Sequence, residues 1–221
     1  TKCSYILNDE IIKSASVIDV PSQATIIDID ENELLKQKII QDLVHNDFFY
    51  DISKNYFKSV PILTNVGLRI SKISDKPGNK EAQLYHFDLD RPKWLKFFIY
   101  LNDVENLDHG PHSYIKKTHK VFAKPYKILI KRYQRISDKE IFSYYNQTNE
   151  HIIYGKAGTL AIGDTLAFHK GHNPRTKNRK VLTLEFSNSL FGSYFENYEV
   201  AKNIFKSNNK KFEEKFYSKF I

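Results

Sequence analysis

After Glu31, apolar side chains recur at intervals of three and four residues, which is the spacing of one buried helix face. The positions concerned are Leu34, Leu35, Ile39, Ile40, Leu43 and Val44. Asp30 or Glu31 supplies a carboxylate at the start, where negative charge stabilises a helix. The pattern predicts one helix from Glu31 and a second, shorter helix around Ile52–Phe57 that ends before Pro61.

Beyond Pro61 the apolar positions alternate, as they do in strands with one buried face. Turn signals separate the apolar runs at Lys76–Asn79, Asp108–Pro111 and Gly163–Asp164. The pattern predicts strands at Thr64–Ser71, Glu81–Asp88, Trp94–Leu101, His112–Lys116, Ile152–Tyr154, Thr159–Ile162, Thr165–His169 and Val181–Phe186.

The other segments complete a mainly β chain with flanking helices. The first thirty residues indicate a strand or two plus loops. The insert Thr118–Asn149 is predicted to be partly helical, and Tyr194–Phe205 and Lys211–Phe220 to be amphipathic helices. A helical layer followed by many short antiparallel strands favours a β-sandwich or jelly roll backed by helices. The length of 221 residues fits one domain, with a helical layer at about 31–60, a strand core at about 62–190 and C-terminal helices at about 194–220.

Composition narrows the class of protein. Apolar residues make up 41% of the chain, which is enough for a folded core. No apolar run approaches the ~20 residues of a membrane helix, and no leader pattern stands at the N-terminus. A lone Cys3 excludes a disulfide framework and fits a reducing compartment. We therefore expect a cytoplasmic protein.

The net charge is +8. We expect this excess to be spread over the surface rather than gathered in one patch. The aromatic residues show no basic stripe with a stacking platform. We therefore expect a small-molecule substrate and neither a nucleic-acid nor a membrane partner; the sequence does not predict an oligomeric state.

The tetrapeptide Tyr85-His86-Phe87-Asp88 carries the sharpest chemical signal. Residues two apart in a strand point to the same face, so His86 and Asp88 would project together and Phe87 to the other side. An imidazole and a carboxylate side by side supply two of the three ligands of a 2-His-1-carboxylate site for non-haem Fe(II).

A third ligand would come from a later strand. His169 lies 81 positions after Asp88 and ends an apolar run, whereas His172 follows Gly171 in a predicted turn. A strand end holds a ligand more rigidly than a loop does, so we predict His169, with His172 as the alternative.

Arg179 follows His169 by ten positions. An arginine at the start of the next strand can fork onto a carboxylate, and 2-oxoglutarate needs such an anchor for its distal end while its keto acid end chelates iron. Lys180 is the competitor, because its side chain would point inward if the strand phase were shifted by one residue.

Four segments then follow one another in a familiar order. They are Gln83–Asp88, Phe97–Val104, Gly110–Ile115 with Thr118–Lys120, and Asp164–Gly171 with Asn173 and Arg179. Together they resemble the phytanoyl-CoA dioxygenase-like Fe(II)/2-oxoglutarate oxygenases over residues 82–188. The resemblance implies a double-stranded β-helix (cupin-like jelly roll), with His86, Asp88 and His169 as iron ligands and Arg179 as the 2-oxoglutarate anchor.

The activity that the resemblance implies is oxidation by Fe(II), 2-oxoglutarate and O2, usually a C–H hydroxylation that releases succinate and CO2. Two other hypotheses are a catalytically inactive barrel that binds a ligand, and a zinc hydrolase that uses the same three ligands. We expect the N-terminal segment, the Lys72–Lys80 loop and the Thr118–Asn149 insert to border the substrate. We expect His112 and His119 to have no metal role.

Overall fold

The computed structural model describes residues 1–74, 83–89, 91–191, 216, 219 and 220. The strands are β1 (Cys3–Leu7), β2 (Glu10–Ser14), β3 (Ile26–Ile29), β4 (Ile62–Ser71), β5 (Trp94–Tyr100), β6 (His112–Ile115), β7 (Glu150–Ile153), β8 (Leu160–Gly163), β9 (His169–Gly171) and β10 (Arg179–Ser187). The α-helices are α1 (Glu31–Leu35), α2 (Lys38–Val44), α3 (Asp47–Phe57), α4 (Tyr126–Leu129) and α5 (Asp138–Tyr144).

Two antiparallel sheets form a jelly roll, the double-stranded β-helix fold predicted above. The larger sheet has the order β2-β1-β3-β4-β10-β5-β8, and the smaller has the order β7-β6-β9. Strand alternation gives the larger sheet two different faces. Phe97, Leu184 and Phe186 pack with the helices in one hydrophobic cluster, whereas Lys96 and Glu185 line a cavity on the other face.

The helix predicted from Glu31 is interrupted. Asp30 caps α1 by accepting a hydrogen bond from the backbone N–H of Asn32, as the acidic start predicted. Gln37 is extended, so α2 begins anew and its Ile39 is 77% exposed rather than buried. The next helix, α3, begins at Asp47, earlier than predicted. The Asn46 side chain caps its start by accepting a hydrogen bond from the backbone N–H of Phe48.

Two predicted strands are wrong in extent. Within the predicted Glu81–Asp88 strand, of which 81 and 82 lie outside the described residues, only Tyr85 and His86 form bridges. The predicted strand Thr165–His169 is a turn over most of its length, because the Asp164 side chain accepts a hydrogen bond from the backbone N–H of Leu166. The strand β9 therefore begins only at His169. The N-terminal thirty residues hold three strands rather than one or two.

The C-terminal helices predicted at Tyr194–Phe205 and Lys211–Phe220 lie outside the described residues except for three positions, and so does the Lys76–Asn79 turn. Phe216 and Phe220 are buried in the cluster beneath the helices. Lys219 Nζ lies 2.9 Å from Glu31 Oε2 and donates to the Thr64 carbonyl at 2.6 Å. These contacts tie the end of the chain to β4 and α1.

Within the described part of the chain, no helix combines the length and the apolar character that crossing a membrane requires.

Candidate metal and co-substrate site

His86, Asp88 and His169 converge on one point. Each offers a ligand atom, and these atoms all lie within 4.8 Å of one another. The backbone brings them together, because His86 and His169 exchange two hydrogen bonds of 3.0 and 2.9 Å across an isolated bridge. Their ring centroids are 4.3 Å apart. Residues 83 positions apart in the sequence are thus direct neighbours in space.

The alternation predicted for this segment holds even without a regular strand. The Asp88 backbone N–H donates to the Thr165 carbonyl at 2.9 Å, which continues the extended path beyond the bridge. Phe87 points to the opposite side and packs edge-on against Phe168, with 5.2 Å between ring centroids. Phe87 therefore fixes the phase that turns His86 and Asp88 to the same side.

Both imidazoles are held neutral and oriented. The Nδ1 atoms of His86 and His169 each lie 2.9 Å from the backbone carbonyl two residues earlier, so Nδ1 carries the proton and Nε2 keeps its lone pair. Burial lowers the pKa of His86 to about 3, with a further contribution from the neighbouring His169. Burial also lowers the pKa of His169. A neutral imidazole with a fixed tautomer is the form that ligates a metal.

Asp88 belongs to a chain of alternating charges. Its Oδ2 lies 2.9 Å from Lys96 Nζ, which is 3.1 Å from Glu185 Oε2. Arg91 and Thr64 contact the other oxygen of Glu185, at 3.6 and 2.9 Å. Burial opposes ionisation of Asp88, but the charge of Lys96 outweighs it and holds the Asp88 pKa well below its usual range. Asp88 is therefore a carboxylate, and one of its oxygens is already engaged.

The cluster lies in a cavity of about 500 Å³ between the two sheets. Arg179 and His112 line the same cavity. Arg179 donates to the Gly110 and His172 carbonyls and to Ser71 Oγ. Arg179 Nε and His112 Nδ1 are buried without a hydrogen-bond partner among the described residues. Such orphaned polar atoms are costly and indicate a missing polar ligand, here one that accepts from a guanidinium.

The structure also places the two alternatives. The side chain of Lys180 is exposed, and within the described part of the chain the hydrogen bonds of this residue are made by its backbone, with its N–H donating to Asn102 Oδ1 and its carbonyl accepting from the Leu101 N–H. The strand phase therefore turns Arg179 inward. His172 lies outside the three-residue cluster, with its Nε2 2.6 Å from Ser113 Oγ.

Sequence reasoning missed three cavity residues. His112 opens β6, as predicted, and it also lines the cavity, which was not predicted. Lys96 and Arg135 also line it. Lys96 was detectable in principle, because it shares a strand face with Phe98 and is charged within an apolar strand.

Of three comparisons with known proteins, the one with solved structures supports the fold. A scan against protein-family models found no match, and a search of curated proteins found none either. Among solved structures, HygX from Streptomyces hygroscopicus with nickel and 2-oxoglutarate bound has a TM-score of 0.56 and 12% identity, covering 77% of this chain and 72% of that one. The epimerase SnoN with Fe3+, alpha-ketoglutarate and nogalamycin RO has a TM-score of 0.52 and 13% identity, covering 74% and 63%.

EvdMO1 has a TM-score of 0.51 and 17% identity, and the match covers 84% of this chain but only 38% of that one. At such identities the likeness defines the fold alone. It is the jelly roll found in these metal- and 2-oxoglutarate-containing structures.

Proposed function

We propose that this chain is an Fe(II)- and 2-oxoglutarate-dependent dioxygenase that hydroxylates a C–H bond of a small molecule. The observation that carries the proposal is the convergence of His86, Asp88 and His169 in a cavity that also presents Arg179. Two neutral imidazoles and one carboxylate form the ligand set typical of non-haem Fe(II) oxygenases. Within that superfamily, the motif order supports the phytanoyl-CoA dioxygenase-like family.

The residues fit the metal. His86 and His169 would bind through Nε2, because their Nδ1 atoms are engaged by backbone carbonyls. Asp88 would bind through the oxygen that Lys96 does not contact. When bound, Fe(II) with 2-oxoglutarate and O2 supplies the oxidising power that converts C–H to C–OH and releases succinate and CO2.

The residues also fit the co-substrate. Arg179 Nε and His112 Nδ1 both lack a hydrogen-bond partner among the described residues. Arg179 Nε–H can donate to a carboxylate, and His112 Nδ1 can do so in the tautomer that carries the proton on Nδ1. Burial lowers the pKa of Arg179 to about 10, so its guanidinium is still charged at neutral pH. We assign both to the distal carboxylate of 2-oxoglutarate. The three hydrogen bonds that Arg179 makes would hold it in place beforehand.

The proposal also includes that the enzyme is cytoplasmic, has a single domain and acts on a small-molecule substrate. A second HygX structure contains hygromycin B together with nickel and 2-oxoglutarate, and it matches this chain with a TM-score of 0.52 and 10% identity. Its bound small molecule supports the same class of substrate here.

The test begins with binding in the absence of O2. Mn(II) and then 2-oxoglutarate are titrated by calorimetry into the protein and into two variants, His169→Ala and His172→Ala. We expect His169→Ala to lose Mn(II) binding and His172→Ala to keep it. Replacing Mn(II) by Fe(II) should then give the weak visible absorption band of an Fe(II)–2-oxoglutarate chelate.

Turnover separates the competing hypotheses. A dioxygenase converts 2-oxoglutarate to succinate only when Fe(II) and O2 are both present. Metal and co-substrate binding without any succinate, over a broad set of small molecules, would indicate the inactive barrel. Hydrolysis that needs Zn(II) and ignores 2-oxoglutarate would indicate the zinc hydrolase, and absence of Mn(II) binding would refute the site itself.

A further inference from the structure

The positive charge of the chain is concentrated in one segment, contrary to the expectation that it is spread over the surface. Residues 116–135 contain eight of the 34 Lys and Arg residues and no Asp or Glu. The rest of the chain therefore carries 26 residues of each sign, and the whole net charge of +8 resides in this segment. Six of its cations are exposed: Lys116, Lys117, Lys120, Lys127, Lys131 and Arg132.

Large apolar side chains are exposed among these cations. Phe122 is 84% exposed, Tyr126 76%, Val121 69% and Ile130 58%. The Ile130 backbone N–H donates to the Tyr126 carbonyl at 3.1 Å, so these two side chains lie one helical turn apart on the same side. Exposed apolar side chains in a cluster, unlike scattered ones, mark an interaction site. We call residues 116–133 the basic-aromatic surface.

The opposite side of the segment is anchored to the body of the protein. Ile128 is 1% exposed and belongs to a hydrophobic cluster with Phe87 and Phe168. Lys124 is buried, and its Nζ lies 5.0 Å from the centroid of the Phe87 ring. Because one side is buried in this way, the exposed residues belong to a defined surface rather than to a loose loop.

We propose that the basic-aromatic surface docks onto a lipid bilayer that contains anionic headgroups. Lysines that surround apolar side chains are the composition of interfacial membrane anchors, with the apolar groups among the acyl chains and the ammonium groups at the phosphates. This departs from our sequence-based expectation of no membrane partner, which rested on the absence of a spanning segment.

Two other classes of anionic partner fit less well. Nucleic acid would use the aromatic rings for stacking, but the aliphatic Val121 and Ile130 offer no such contact. Protein interfaces are depleted in lysine and enriched in arginine, whereas five of the six exposed cations here are lysines. A bilayer uses the aliphatic, aromatic and lysine side chains together.

The surface adjoins the candidate site. Tyr133, at its end, is 48% exposed, and its ring centroid lies 6.1 Å from that of His86. Arg135, two residues later, lines the cavity. Docking would therefore bring this part of the cavity wall close to the headgroups. The inference does not depend on the proposed oxygenase activity.

The experiment is co-sedimentation of the full chain with vesicles of phosphatidylcholine alone and with vesicles that also contain phosphatidylserine, at low and high ionic strength. We expect binding only to the anionic vesicles, weakened by salt. Lys127→Gln with Lys131→Gln should lower the partition coefficient by about 25-fold, which is about fivefold for each lost cation. Phe122→Ser with Tyr126→Ser should also lower it, at either ionic strength.

The matched control replaces equally exposed residues elsewhere, Ile18→Ser with Lys13→Gln, and should bind like the unaltered protein. All the replaced side chains are exposed, so circular dichroism and the unfolding midpoint should not change. No binding to anionic vesicles, or equal loss in the control, would overturn the proposal. Binding to an RNA or to an acidic protein without binding to vesicles would overturn it as well.

Discussion

Removing the guanidinium of Arg179 is the sharpest test of the co-substrate site, and the adjacent residue provides the control. Arg179 is 6% exposed, and its Nε has no partner in the described part of the chain. A hydrogen bond between charged groups contributes about 1.5–3 kcal/mol, which corresponds to about 10- to 150-fold in binding. We expect Arg179→Ala to weaken 2-oxoglutarate binding by at least this factor. Lys180→Ala removes an exposed charge and should change it by no more than about twofold.

The assay compares two ligands on Mn(II)-loaded protein without O2. One is 2-oxoglutarate, and the other is 2-oxobutyrate, which keeps the metal-chelating keto acid and lacks the distal carboxylate. Arg179→Ala should weaken binding of the first ligand and leave that of the second almost unchanged. The unfolding midpoint is measured in parallel, since Arg179 also holds the Gly110 and His172 carbonyls.

Three results would refute this reasoning. Equal weakening of both ligands would mean that Arg179 supports the cavity rather than the distal carboxylate. The loss appearing in Lys180→Ala would mean that the strand phase is wrong. Unaltered affinity in Arg179→Ala would mean that another cation of the cavity anchors 2-oxoglutarate.

Three further predictions concern neighbouring residues. Asp88→Ala should leave the protein folded by circular dichroism but abolish succinate formation; retained turnover would place the carboxylate ligand elsewhere. Gly171→Ala would put a Cβ 2.8 Å from Nη2 of Arg179 and so displace the guanidinium. In calorimetry we expect the affinity for 2-oxoglutarate to fall by about tenfold or more and the affinity for Mn(II) to stay the same. Unchanged 2-oxoglutarate affinity would contradict this prediction. Burial lowers the pKa of His172 to about 4. On acidification the imidazole is therefore protonated in the unfolded chain before it is protonated in the folded chain. The part of the free energy of unfolding that comes from this difference is complete above pH ~6.5 and is lost as the pH falls below that value. Between pH 7 and pH 5 this group should lower the free energy of unfolding by about 2 kcal/mol. His172→Gln should remove this contribution to the pH dependence, as measured by urea unfolding. An unchanged pH dependence in the variant would count against a buried neutral His172.

The local part of the site was predictable because strand alternation needs only neighbouring residues. His86 and Asp88 share a side, and Phe87 occupies the hydrophobic cluster opposite, as the two-residue period requires. The preference for His169 over His172 rested on strand ends being firmer than loops, and the structure places only His169 in the cluster. Their function as metal ligands stays a prediction.

Other features escaped the sequence analysis, each for its own reason. The break between α1 and α2 lies at an extended Gln37 within an otherwise helical pattern. His112 gained its place in the cavity from pairing with Gly171 across β6 and β9, which lie far apart in the sequence. The charge concentration in residues 116–135 was visible in the sequence, but its significance depends on which of those side chains are exposed.

The anchored end of the chain has a practical consequence for protein engineering. Phe216 and Phe220 fill space beside Tyr50 and Phe186, and Lys219 bonds both the Glu31 carboxylate and the backbone of β4. A shortened version that stops before Phe216 would leave a cavity in the apolar core. It would also remove the Lys219 ammonium from the Glu31 carboxylate, whose Oε1 would still accept from the Val66 backbone N–H. Removal of residues 216–220 should therefore lower the melting temperature as strongly as a core mutation does.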